Sequence, residues 1–365
     1  MNIGIPKEIM TGEGRIALTP VACKTLIESG HEVYLQQSAG ENSGYSDEDF
    51  RQSGVEIVNT AQQLYDSVRL IVKVKQPLDA DLQYLNKQHI LFSYLHLAAN
   101  EGLIKALCDI GLCAIPFESI SAENDTLPLL APMSQLAGRI ATIRGASLLF
   151  RNRGGKGVLL GGVDGADSGR VVVLGAGVAG RQAVATAVGL GAKVDVLDLD
   201  EAKLTLLQQD YPTINTLLSS PEAIETVCRQ ADLVIGAVLL AGQRAPVVLK
   251  QSVVKQMTPG SVIVDIAIDQ GGCVEGIRAT SSEELSYVEN GVLHSAVPNM
   301  PASVARTASQ SLASAILPYV SALADLSVDA LNQPESIDSQ VLHQAIAINL
   351  GEIMDPVLRQ EFKIE

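Results

Sequence analysis

The run Val171-Val172-Val173-Leu174-Gly175-Ala176-Gly177-Val178-Ala179-Gly180 decides the fold. A short β-branched run feeding G-x-G-x-x-G is the strand-to-helix turn that holds a dinucleotide pyrophosphate. In that reading Gly175 permits the tight turn, Gly177 lets the backbone approach the phosphates, and Gly180 lets the next helix close on the sheet. The helix then offers unpaired N–H groups to the anion, a charge its dipole also favours. The flanks agree: residues 181–190 are helical in pattern, Gly191 ends them, and 193–197 reads as the next strand, running into Asp198. An acid about 20 residues beyond the glycines is where a ribose 2′-hydroxyl is bound. Its carboxylate repels a 2′-phosphate, so the expected cofactor is NAD and not NADP. A glycine-rich turn in an α/β fold with no ligand stays open as the bland alternative.

At 365 residues the chain has room for two domains, each with its own core. A hydrophobic share of 47% with 18% charged residues excludes a disordered chain. Acids outnumber Lys and Arg 41 to 26, a net charge of −15. That field repels nucleic acid and anionic membranes, so neither is an expected partner. An anionic substrate must then be held by local cations. The five cysteines, Cys23, Cys108, Cys113, Cys228 and Cys273, include no C-x-x-C pair and read as reduced, mostly buried small hydrophobes. His31, His89, His96, His294 and His343 lie far apart, and no metal is expected. No apolar run approaches the roughly 18 residues of a membrane span, and residues 2–6 read as a strand rather than a leader. The expected location is the cytoplasm.

Strand-like runs at 2–6, 31–35, 54–58, 70–75, 89–95 and 112–117 alternate with helices, some opened by Thr19-Pro20, Ser46 and Thr60. This pattern predicts a parallel, doubly wound sheet. A second such unit starts at the glycine turn and includes strands at 232–237 and 261–266. Helical stretches at 134–150 and from 303 towards 326, kinked at Pro318, bracket it, and the tail from Ser327 is expected to return to the first domain. The expected architecture is α/β: two doubly wound, Rossmann-like parallel-sheet domains with a cleft between them. Residues 1–130 form the first part of a substrate domain, 131–302 the nucleotide domain, and 303–365 a linking helix and return.

Ligands of open parallel sheets sit off the carboxyl ends of the strands. Four polar residues fall there: Arg15 after the first strand, Lys75 ending 70–75, His96 ending 89–95, and Asp269 after 261–266. Each has a plainer reading. Arg15 fits a solvated loop charge, Lys75 a wet strand edge shared with Lys73, His96 a satisfied core histidine, and Asp269 a turn cap. Together they fit one chemistry. Two cations clamp a small carboxylate, Arg by its fork and Lys as a point charge. A histidine then moves the proton that accompanies hydride transfer to a nicotinamide.

At these residues the chain resembles the alanine dehydrogenase/nicotinamide-nucleotide transhydrogenase family. The likeness runs through Gly4-Ile5-Pro6-Lys7-Glu8, Arg15-Ile16-Ala17-Leu18-Thr19-Pro20, Val72-Lys73-Val74-Lys75, Leu95-His96-Leu97-Ala98, Ala131-Pro132-Met133-Ser134, the glycine turn, the segment 265–273 and Asn299-Met300-Pro301. The resemblance implies an NAD-dependent interconversion of L-alanine with pyruvate and ammonia. It makes Arg15 and Lys75 the carboxylate holders, His96 the acid–base, and Asp269 a partner in the proton and water steps. It lines the cofactor site with Ser134, Gly175, Gly177, Val178, Ala179, Gly180, Asp198, Ser220, Val238, Leu239, Ile266 and Asp269, and borders nicotinamide and substrate with Asn299 and Met300. It also implies a homo-oligomer, a hexamer. The alternatives are the soluble subunit of a transhydrogenase, a related amino- or imino-acid dehydrogenase, and a non-catalytic NAD-binding protein on the same fold. Gly14 stands where the family usually carries an aromatic residue and Ala305 where it often carries proline, which leaves substrate scope open.

Overall fold

The computed structural model describes residues 1–122, 126–238, 244–281, 283–326 and 337–362. The chain divides into a first unit of residues 1–133 and 302–365 and a second of 134–301. In chain order the first unit contributes strands β1 Asn2–Ile5, β2 Glu32–Gln36, β3 Glu56–Val58, β4 Leu70–Val72, β5 Ile90–Ser93 and β6 Cys113–Pro116. The second contributes β7 Arg170–Leu174, β8 Lys193–Asp198, β9 Asn215–Leu218, β10 Leu233–Gly236, β11 Val262–Asp265, β12 Tyr287–Glu289 and β13 Val292–Ser295. The two-residue strands β14 Ile348–Asn349 and β15 Glu352–Ile353 belong to the first unit again.

The first sheet has the order β15-β14-β6-β5-β4-β1-β2-β3. Its six long-chain neighbours β1 to β6 pair in parallel, while β14 adds to β6 antiparallel. The centre is fully buried, and Leu70-Ile71-Val72 and Ile90-Leu91-Phe92 are the continuous apolar runs that a sheet covered on both faces demands. Helices start where the sequence says. Thr19 Oγ1 accepts from Ala22 N–H ahead of Pro20, and Ser46 and Asp49 form a reciprocal capping box. The order reverses between β4 and β1, so the crevice off their carboxyl ends is this sheet's ligand position.

The second sheet runs β12-β13-β11-β10-β7-β8-β9, parallel except for the β12–β13 hairpin. Its order reverses between β10 and β7, and β7 feeds the glycine turn. Both sheets are therefore mostly parallel within an α/β fold, with antiparallel strands confined to one edge of each.

Three expectations change in detail. The strand expected at 70–75 ends at Val72, although Lys73 N–H to Phe92 O and Tyr94 N–H to Val74 O, both 3.2 Å, carry the pairing on. The helix expected from 181 starts at Val178, immediately after Gly177. The helix expected from 303 towards 326 runs Ala305–Asp325, with Pro318 inside it.

Candidate functional site

In the first unit, Arg15, Lys75 and His96 follow β1, β4 and β5, three adjacent strands at the switch point. Each is set in place by a different carboxylate. Arg15 is only 2% exposed, so it is no solvated loop charge. Its Nε donates to Glu13 Oε1 at 2.7 Å and its Nη2 to Glu13 Oε2 at 2.5 Å, while Nη1 reaches the Met133 sulfur at 3.0 Å. The next backbone N–H, of Ile16, is tied to Ser309 Oγ at 2.9 Å.

Lys75 is half-buried, and Glu8 steadies its backbone by accepting from Val74 N–H at 2.6 Å and Lys75 N–H at 3.4 Å. Burial raises the Glu8 carboxyl above its usual range, against the lowering pull of Lys73. Lys73 corrects the wet-edge reading. It is 1% exposed, on a central strand's extension, with its Nζ 3.1 Å from Asp81 Oδ2 and 3.8 Å from Glu8 Oε2. Asp81 also accepts from the buried Tyr65 hydroxyl at 3.1 Å. Lys73 is a structural ion and Lys75 is not its twin.

His96 takes the left-handed backbone conformation, φ 50° and ψ 42°. It is not a core histidine: the residue keeps exposed surface. Its N–H donates to Glu118 Oε1 at 2.6 Å, and its ring stacks on Tyr94 with centroids 6.2 Å apart. Crowding by protein, then the Lys75 and Arg15 cations, push the imidazole down to about 4. At neutral pH the ring is uncharged.

In the second unit the three glycines meet separate demands. Gly175 has φ 105°, and a Cβ there would lie 2.6 Å from Ala237 O. A Cβ on Gly180 would lie 1.8 Å from Gly175 O, too close for any side chain. A Cβ on Gly177 would meet nothing within 4 Å, so that glycine keeps open the space in front of the helix Val178–Gly189. This cradle fits a dinucleotide pyrophosphate. Val178 is exposed and Ala179 half-buried on the first turn, and Val238 N lies beside the Gly175 position. Asp198 ends β8 and accepts from Ala176 N–H at 2.6 Å and Asp200 N–H at 2.9 Å, locking the acid to the glycine turn.

Ser220 Oγ caps the helix Pro221–Cys228 by accepting from Ala223 N–H. Ser134 lies in the helix Ala131–Leu148, which continues past Gly138, packed where a Cβ would strike Ala179 O. Ile266 opens the 3-10 turn Ile266–Gln270, on which Asp269 is exposed. Both Asp269 oxygens accept from Asn299 N–H at 3.2 Å, and Asn299 is itself left-handed at φ 53°. Met300 is 3% exposed and packs into the core of this unit. Leu239 lies outside the described residues. No group of metal-ligating side chains is found among the described residues, and no helix among them is long and apolar enough to cross a membrane.

Sequence reading missed the carboxylates that hold these residues: Glu8, Glu13 and Glu118, with Asp265 in the second unit. Asp265 is fully buried and accepts from Ala267, Cys273 and Val274 N–H, closing the loop that carries Asp269. Glu118 and Asp265 stand at the carboxyl ends of β6 and β11, as Lys75 and His96 do at those of β4 and β5.

A nicotinamide-dependent oxidoreductase is the class that such a pair of units defines. The comparisons make it specific. Residues 4–137 match the model for the N-terminal domain of alanine dehydrogenase/PNT, and residues 141–356 match that for its C-terminal domain. The chain is 46% identical over 326 residues to the alanine dehydrogenase of Halomonas elongata, covering 89% of this chain and 88% of that one. It is 43% identical over 361 residues to that of Bacillus subtilis, covering 96% and 95%. A solved L-alanine dehydrogenase superposes with a TM-score of 0.94 at 43% identity, over 99% and 98% of the two chains. A transhydrogenase from Sinorhizobium meliloti shares the fold at 23% identity, with a TM-score of 0.84. The chain belongs to the alanine dehydrogenase/PNT family.

Proposed function

We propose that this chain catalyses the NAD-dependent, reversible oxidative deamination of L-alanine to pyruvate and ammonia. The observation that carries the reading is the grouping of Arg15, Lys75 and His96 at the ends of adjacent strands, with both cations close enough to depress the imidazole. Arg15, aimed by Glu13, and Lys75 bind the substrate carboxylate by charge-assisted hydrogen bonds. His96 is the acid–base. Neutral in the free protein, it accepts a proton in the deamination direction. A bound carboxylate offsets the two cations, which raises the ring's basicity so that it can hold and return that proton in the amination direction.

Asp269, fixed to Asn299, assists the proton and water steps. NAD, when bound, accepts the hydride. Ser134, the glycine turn with Val178 and Ala179, Asp198, Ser220, Val238, Leu239, Ile266 and Met300 make up its site, and Asp198 selects it over NADP. The reading includes a cytoplasmic location and a homo-oligomer, for which the resemblance makes a hexamer the expected size. Identities of 43–46% to alanine dehydrogenases, against 23% to the transhydrogenase, favour this reading over the alternative.

The test is NADH formation, followed by absorbance, with a panel of small amino and hydroxy acids. L-Alanine is expected to be the best substrate and lactate to be inert. Activity with hydroxy acids and none with alanine would overturn the assignment.

A further inference from the structure

A left-handed backbone at a residue with a Cβ persists only where its surroundings hold it. At His96 the holding group is Glu118. Its Oε1 accepts from His96 N–H at 2.6 Å and from Leu95 N–H at 3.1 Å, with Oε2 3.3 Å from the same Leu95 nitrogen. Glu118 sits in the 3-10 turn Phe117–Ser119 directly after β6, the parallel neighbour of β5, with Ser93 in register with Pro116. Phe117 anchors that turn. It is fully buried, edge-on to Phe92 at 4.5 Å and to Tyr94 at 5.0 Å. Tyr94, whose hydroxyl donates to Leu129 O at 2.5 Å, stacks on the His96 ring. Backbone and ring are thus held by different groups.

We propose that Glu118 is the positioning residue of the acid–base step, its carboxylate fixing the His96 backbone so that the imidazole stays beside Arg15 and Lys75. The inference deepens the assignment of His96 made above and rests on it. Glu118 acts through geometry. Both N–H groups reach Oε1, so an amide that presents its carbonyl at the same place satisfies them both. A carboxylate one methylene shorter falls short of them.

The groups facing His96 are Lys75, Arg15, Tyr94 and Glu118, which makes the acid limb of kcat/KM for alanine a report on its place. Loss of the Glu118 charge alone lowers the histidine's pKa. Loss of position, away from two cations, raises it towards the ordinary value near roughly 6.5. The experiment compares Glu118→Gln, Glu118→Asp and Glu118→Ala with the unmodified protein, in steady-state kinetics over a pH series and in NADH titrations.

Glu118→Gln is expected within about threefold of the unmodified kcat. Glu118→Asp and Glu118→Ala are expected to lose at least about tenfold in kcat, with KM for pyruvate within about threefold, NADH affinity unchanged and the acid limb moved up. If Glu118→Ala does not fold, the Gln and Asp variants decide alone. An Asp variant as active as the unmodified protein, a Gln variant as impaired as the Asp variant, or an acid limb moved down in the Asp or Ala variant would overturn the inference. An unmodified protein with no alanine-dependent NADH formation would sink the functional reading instead.

Discussion

Glu13 takes the Arg15 guanidinium side-on, Oε1 to Nε at 2.7 Å and Oε2 to Nη2 at 2.5 Å, in a pair that leaves 2% of the arginine side chain and none of the glutamate exposed. The cation is aimed by a fixed partner. A lysine at position 15 cannot reproduce the planar fork and leaves a buried carboxylate under-bonded. Arg15→Lys should therefore lower kcat/KM for pyruvate by at least about tenfold, roughly 1.4 kcal/mol. Arg15→Ala should also destabilise the fold by about 3–5 kcal/mol, because the buried Glu13 carboxylate loses its guanidinium partner. Kinetics and thermal melts separate the two effects. An Arg15→Lys variant with unchanged kcat/KM would remove the fork from the account.

Lys73 and Lys75 should differ in kind. Lys73→Ala strands Asp81 and Glu8 in the core, and breaking such a buried pair costs about 3–5 kcal/mol. Its signature is a lowered melting temperature. Lys75→Ala should melt close to the unmodified protein and lose at least about tenfold in kcat/KM for pyruvate. Equal melting temperatures for the two variants would contradict the division of labour.

How much of this was legible in the sequence follows from range. The glycine turn, the caps at Thr19, Ser46 and Thr60 and the central apolar strands are local patterns, and each lies where reading put it. The hairpin β12–β13 carried a local signal that went unused: Asn290-Gly291, left-handed at φ 52° and 78°, is a strong turn pair between short strands. Strand β9 had no such mark, since Asn215-Thr216-Leu217-Leu218 is half-exposed and four residues long. The partners of Lys75 and His96 were illegible for another reason. Glu118 lies 22 residues from His96, and Glu8 lies 67 from Lys75. Only the parallel sheet, which lines up the carboxyl ends of non-consecutive strands, brings them together. Lys73 misled because alternation gives it the same face as Lys75, whereas the depth of Asp81 decides its role.

The cofactor preference should follow Asp198. Its carboxylate is locked to Ala176 N–H at 2.6 Å, so it both shapes the glycine turn and presents negative charge at the end of β8. NAD should be preferred over NADP by at least about a hundredfold, some 2.7 kcal/mol. Asp198→Ala should weaken NAD and narrow the gap. Comparable kcat/KM values for the two cofactors with the unmodified protein would show that the acid does not select.

His294 should make the second unit acid-sensitive. It is fully buried on β13, stacked on Tyr287 at a centroid distance of 5.1 Å, and burial holds its imidazole below the ordinary range despite Glu289. An unfolded histidine takes up its proton below pH of about 6.5, whereas this one resists. Stability is therefore lost as pH falls from there towards the depressed folded value, by up to about 1.4 kcal/mol per pH unit, and is level below it. Burial raises Glu8, Glu118 and Asp265, which contribute with the opposite sign, so the comparison must be internal. The melting temperature of His294→Leu should fall less between pH 7 and pH 5 than that of the unmodified protein. Parallel melting curves would contradict this.

The central claim is that His96 moves the proton in an alanine–NAD reaction, and His96→Ala tests it most directly. The residues proposed to bind the nucleotide belong to the second unit, so an NADH fluorescence titration should give an unchanged affinity. Alanine-dependent NADH formation should fall by at least about a hundredfold, the low end of what a positioned acid–base contributes. A His96→Ala protein that binds NADH normally and keeps a kcat close to that of the unmodified protein would contradict the account.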